Sequence, residues 1–95
     1  MNASDLINVN YRDLMNKAGE LEALAYRLDR NYTARIKQMR AELNGCWTGD
    51  CAEFYKKKLD KLASITKTRS KELRNAAAAL RISAQKYYLL EQIRF

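Results

Sequence analysis

The chain has no proline, no histidine and only three glycines, Gly19, Gly45 and Gly49, in 95 residues. A sheet protein of this length would need a turn every ten residues or so, and turns draw on Gly, Pro, Asn and Asp. So little punctuation favours a few long helices. The absence of histidine removes the commonest general base and the commonest metal ligand together. Long hydrophobic runs are lacking too: no stretch nears the roughly 18 apolar residues of a membrane span. Met1 to Tyr11 carries neither a basic leader nor an apolar block, so no cleavable signal peptide is expected. Phosphate-binding glycine loops are missing, carboxylates are scattered along helix faces, and no base is paired with a Ser, Thr or Cys nucleophile. No catalytic residue, metal site or cofactor is therefore expected, and the chain reads as a binding protein and not as an enzyme.

What is present is periodic. Apolar residues recur at Ile7, Tyr11, Leu14, Ala18, Leu21, Ala25, Leu28 and Tyr32, in alternating steps of four and three. That is the seam of a helix packed along its length on another helix. The series continues through Ile36, Met39 and Leu43 after a phase slip near Arg35, which stands where an apolar residue is due. Ser4 and Asn10 are both candidate caps for this first helix. The break falls at Asn44-Gly45-Cys46-Trp47-Thr48-Gly49-Asp50, with Gly45 suited to the left-handed end of a helix. Asp50 followed by Glu53 has capping-box spacing and opens a second helix. There the stripe resumes at Tyr55, Leu59, Leu62, Leu73, Ala76, Leu80 and Tyr87.

The predicted architecture is all-α: an antiparallel two-helix hairpin forming a single domain over residues 1–95. Its first helix covers about 4–43, the turn 44–50 and the second helix about 51–93. Centring the hairpin near Trp47 pairs Ile7 with Tyr87, Leu14 with Leu80, Ala18 with Ala76, Leu21 with Leu73, Tyr32 with Leu62, and Met39 with Tyr55. Two helices bury only one stripe each. Apolar residues beside the seam, among them Met15, Leu24, Ile36, Phe54, Ile65 and Ala77, therefore call for a further partner. The simplest partner is another hairpin, itself or a related one, giving an elongated four-helix bundle by dimerisation.

The formal charge of +7 is concentrated in one stretch. Between Arg27 and Lys71 there are 12 Lys and Arg against five Asp and Glu; elsewhere the count is six against six. Arg30, Arg35, Lys37 and Arg40 precede the turn, while Lys56, Lys57, Lys58 and Lys61 follow it. Folding back would bring these clusters side by side as a basic patch, attractive to an acidic protein or, as alternatives, to nucleic acid or anionic lipid. The bland reading of the same residues is a solvated face that keeps a bundle soluble. Cys46 and Cys51 flank the turn and form a candidate disulfide, one that would require an oxidising compartment. Two unpaired thiols are the equal alternative.

A chain of this length with two long helices and Trp47-Thr48-Gly49 in the connecting turn resembles the WXG family of small bacterial type VII secretion proteins. The resemblance spans the whole chain in architecture and rests on that short motif in detail. Tyr87 and Glu91, one helical turn apart, are similar to the Tyr-x-x-x-Asp/Glu element of type VII substrates. The resemblance implies a protein made in the bacterial cytoplasm and secreted without a cleavable signal. It implies an exported substrate, or an adaptor for the helical targeting domain of a larger secreted toxin, handled by the secretion ATPase machinery. Trp47 and Gly49 would shape the turn and contribute to a composite export signal with the partner's tail.

Overall fold

The structure is a computed structural model that describes residues 2–46 and 48–94, with the side chains of Ser4, Cys46 and Arg94 outside the description. It is an all-helical hairpin. The first arm consists of α1 (Ala3–Leu28), a π-helical turn (Asp29–Thr33) and α2 (Ala34–Cys46); the second is one helix, α3 (Asp50–Arg94). Among the described residues no helix is long and apolar enough to cross a membrane.

Local chemistry accounts for the helix ends. Asn2 caps α1, its Oδ1 accepting the Asp5 backbone N–H at 2.9 Å, so the candidate caps Ser4 and Asn10 both lie within the helix. Gly45 does not end the first arm, which runs on to Cys46. The positive backbone angle falls on Gly49, at φ 104°, a conformation that costs glycine little and other residues much. The Gly49 carbonyl then accepts the Glu53 N–H at 3.0 Å, so α3 starts at Asp50. Asp50 and Glu53 place two carboxylates in its first turn, where the helix dipole favours negative charge.

The fold divides into two compact units, a turn unit of Leu24–Glu72 and a terminal unit of Met1–Ala23 with Leu73–Phe95. In the turn unit the first arm buries Ala25, Thr33 and Ile36, and α3 buries Ala52, Lys56, Ala63 and Ser70. In the terminal unit the buried residues are Ile7 and Ala18 on α1, and Ala77 and Ala84 on α3. Half-buried Leu14, Leu21, Leu73, Leu80 and Tyr87 complete that seam. Six of the eleven buried residues among those described are alanine, small enough to let helices approach closely, and larger side chains lie half-buried beside them.

This seam corrects the one read from the sequence at several positions. Thr33 faces inward and Tyr32 is exposed; Ala77 is buried and Ala76 exposed; Ala63 is buried and Leu62 exposed. Tyr55 and Met39 are also exposed. The register shifts as well: Tyr87 meets Asn10, whose Nδ2 donates to its hydroxyl at 3.4 Å, where Ile7 was the expected partner. The physical reason is that a close-packed pair of helices takes small side chains at the contact and pushes bulky ones to its flanks.

The phase slip expected near Arg35 lies earlier, at Asp29–Thr33. There one extra residue is accommodated by an i→i+5 bond from the Ala34 N–H to the Asp29 carbonyl. The inward positions step by five from Leu28 to Thr33 and then resume through Ile36, Arg40 and Leu43. Polar side chains of the turn unit bridge the arms at this point. Ser70 donates its hydroxyl to the Ala25 carbonyl at 3.2 Å. Thr66 donates to the Ala63 carbonyl at 3.0 Å, so in the 2.6 Å contact between the two threonine hydroxyls Thr33 is the donor. Each buried hydroxyl is satisfied, as burial requires.

Candidate functional site

Many large apolar side chains remain outside the seam. In the turn unit Leu24, Met39, Phe54, Tyr55, Leu62 and Ile65 are exposed, and in the terminal unit Leu6, Ile82, Leu89, Leu90 and Ile93 are. Scattered exposed leucines are ordinary, but contiguous ones mark interaction sites. They become contiguous in the turn unit, where Met39, Leu43, Tyr55, Lys58 and Leu59 line an open groove of about 420 Å³. Its floor is half-buried Leu43 and Leu59, and its walls are exposed Met39 and Tyr55. The sequence had paired Met39 with Tyr55, but as seam residues and not as the two sides of a groove.

Tyr55, Lys58, Leu62 and Ile65 follow one another at steps of three, four and three along α3, which places them on one helical face beyond the groove. A smaller concavity in the terminal unit, about 280 Å³, is lined by Asn10, Asp13, Leu14 and Tyr87. Tyr11 and Tyr88 pack beside it with ring centroids 4.7 Å apart.

The basic residues do not form one uniform patch. Lys56 is buried in the seam, its ammonium 3.2 Å from the Glu53 carboxylate, which removes it from any surface site. Arg40 bridges the arms to Asp60 at 2.5 Å, and Arg35 pairs with Glu42 at 3.5 Å. Arg30 lies over the Tyr26 ring and donates to its hydroxyl. Lys58 stands 5.0 Å from the centre of the Phe54 ring, at the edge of the groove. Lys37, Lys57 and Lys61 are exposed. Even so, the turn unit holds 12 Lys and Arg against six Asp and Glu, an excess of six positive charges.

The Arg40–Asp60 pair is half exposed, so its coupling should be modest: about 0.2–1 kcal/mol in a double-mutant cycle of Arg40→Met and Asp60→Asn. It should shrink in about 1 M salt, where the screening length falls to about 3 Å. Urea titration of the four proteins at low and high salt measures it, and coupling above about 2 kcal/mol would show a more desolvated bridge.

Of the remaining sequence-predicted residues, Tyr87 and Glu91 both sit half-buried on the same face of α3. Gly49 supplies the positive φ of the turn. Trp47 lies outside the described residues. Cys51 is exposed, whereas the side chain of Cys46, and with it the candidate disulfide, falls outside the description. Among the described residues no three His, Cys, Asp or Glu come together as a metal cluster would require. The polar layer of Thr33, Thr66 and Ser70 was only partly read in the sequence, with Thr66 as a weaker seam position and Thr33 and Ser70 missed. Its signal was the pairing of Thr66 and Ser70 one turn apart on α3. The turn unit exposes apolar and basic side chains together. No family model, no curated protein and no solved structure matches this chain.

Proposed function

We propose that this protein is a small type VII secretion protein of WXG type, an exported substrate or an adaptor for a larger secreted toxin, acting by helix–helix binding. The observation that carries the reading is the exposed apolar surface of a hairpin whose fully buried positions are mostly alanine. Fully burying one Leu, Ile or Phe stabilises by about 1.5–3 kcal/mol. A hairpin that leaves nine such residues exposed therefore leaves much of that stabilisation to a partner. Two further features support it: the positive φ of Gly49 beside Trp47 and Thr48, and the placement of Tyr87 and Glu91 on one helical face. The partner is a second hairpin or a helical targeting domain, and the secretion ATPase recognises the assembled pair.

The test is export from a bacterium with an intact type VII system. Trp47→Ala, Gly49→Val and the double change Tyr87→Ala/Glu91→Ala should each reduce the extracellular protein by roughly tenfold or more while the cytoplasmic pool persists. Deleting the ATPase should abolish export. Release of all three variants at the level of the natural chain, or release independent of the ATPase, would remove the proposal.

A further inference from the structure

We propose that the turn-unit groove binds an acidic amphipathic helix of a different protein. This rests on the helix-binding reading above, but not on export. The groove takes apolar side chains between Met39 on one arm and Tyr55 on the other, above Leu43 and Leu59. The exposed row Tyr55, Lys58, Leu62 and Ile65 extends that surface for about ten residues along α3, enough for roughly three turns of a partner helix. A helix lying in a groove presents anchors at i, i+3 or i+4 and i+7, the same periodicity as this row.

Charge selects the occupant. The unit holding the groove has six more cationic than anionic side chains, and Lys58 belongs to the groove lining itself. Exposed Lys61 follows Lys58 by three residues and so lies one helical turn from a lining residue. A partner helix with carboxylates flanking its apolar stripe neutralises this excess and gains in encounter rate as well as specificity. A second copy docked groove to groove would instead oppose two cationic units. Tyr55, Leu62 and Ile65 project outward, but the floor of the groove, Leu43 and Leu59, is recessed and half-buried, which suits an inserted side chain of a helix better than the flat surface of a bilayer.

The probe is a fluorescent helical peptide of about 20 residues, roughly 30 Å long, with Leu in a one-faced stripe and Glu on both flanks. Its controls are the same peptide with Lys in place of Glu and a sequence-scrambled acidic version. Anisotropy with the purified full-length chain should give a micromolar Kd for the acidic peptide and roughly tenfold or weaker binding for both controls. Tyr55→Ser/Leu62→Ser and Lys58→Glu/Lys61→Glu should each weaken the acidic peptide by roughly tenfold. These side chains are exposed, and circular dichroism checks that helicity is kept. Leu90→Ser/Ile93→Ser, in the terminal unit, should change little.

Equal binding of all three peptides, or tighter binding of phosphatidylglycerol vesicles or duplex DNA than of the acidic peptide, overturns the proposal. Light scattering that shows a dimer dispersed by Tyr55→Ser/Leu62→Ser also overturns it, because a second copy would then occupy the groove. Loss of peptide binding in the terminal-unit variant alone rejects the groove but keeps helix binding. Failure of every helical peptide to bind any variant rejects both.

Discussion

Ala77→Leu should lower the thermal midpoint by roughly 5–20 °C, whereas Ala76→Leu, one residue away, should leave it nearly unchanged. Ala77 is fully buried and Ala76 is exposed. Leucine and alanine have similar helix propensities, so the difference between the variants reports packing and not local preference. Forcing three extra carbons into a filled seam costs about 1–3 kcal/mol. For a domain of this size each kcal/mol moves the midpoint by about 4–8 °C. Ala25 and Ala84 are buried to the same degree and should respond as Ala77 does. Thermal circular dichroism of the pair is sufficient. Sensitivity at Ala76 with tolerance at Ala77 would restore the seam expected from the sequence and discard the one described here.

Removal of one residue from the π-helical turn should be tolerated, while removal of one from the middle of α1 should unfold the protein. The inward positions are spaced by four and three except between Leu28 and Thr33, where the step is five. Deleting Asn31, an exposed residue, converts that step to four and the π turn to ordinary α-helix. Thr33 and everything after it keep their faces, and the stability change should stay within about 1 kcal/mol. Deleting Asn16 has the opposite consequence. Every residue before it rotates by about 100° relative to the seam, carrying Ile7, Tyr11 and Leu14 away from α3. The loss is about 1.5–3 kcal/mol for each large apolar side chain, comparable in sum to the whole stability of a small domain. Urea midpoints of the two deletions decide it; equal damage from both would mean that the extra residue is not what the π turn absorbs.

These contrasts locate the boundary of what could be read without coordinates. The absence of proline, the scarcity of glycine and the Asp50–Glu53 spacing sufficed for two arms, a turn and the start of α3. Those are local properties, decided within a few residues of backbone. The seam was read with less success because its small members are poor signals. In Asn75-Ala76-Ala77-Ala78-Ala79 four successive alanines have the same propensity and hydrophobicity, so periodicity alone has no reason to prefer one. Reading the largest residues as inward then placed Tyr55, Leu62 and Tyr32 in the core, all of which are exposed. The groove suffered from the same choice: Met39 and Tyr55 were correctly matched across the arms, yet on the wrong side of the contact. Lys56 was grouped with its lysine neighbours, although burial beside Glu53 sets it apart from Lys57 and Lys58.

The sequence by itself determined that the protein is helical, that it folds back near Gly49, and that one half of it is strongly basic. Hydrogen-bonding rules, backbone sterics and charge count act locally and need no partner segment. Only the tertiary structure decided which face of each arm turns inward, where the extra residue of the first arm is absorbed, and which cations are held in pairs. Those outcomes depend on how closely two helices approach. That distance is set by the smallest residues both can bring to the contact at once, and a single strand of sequence does not contain it.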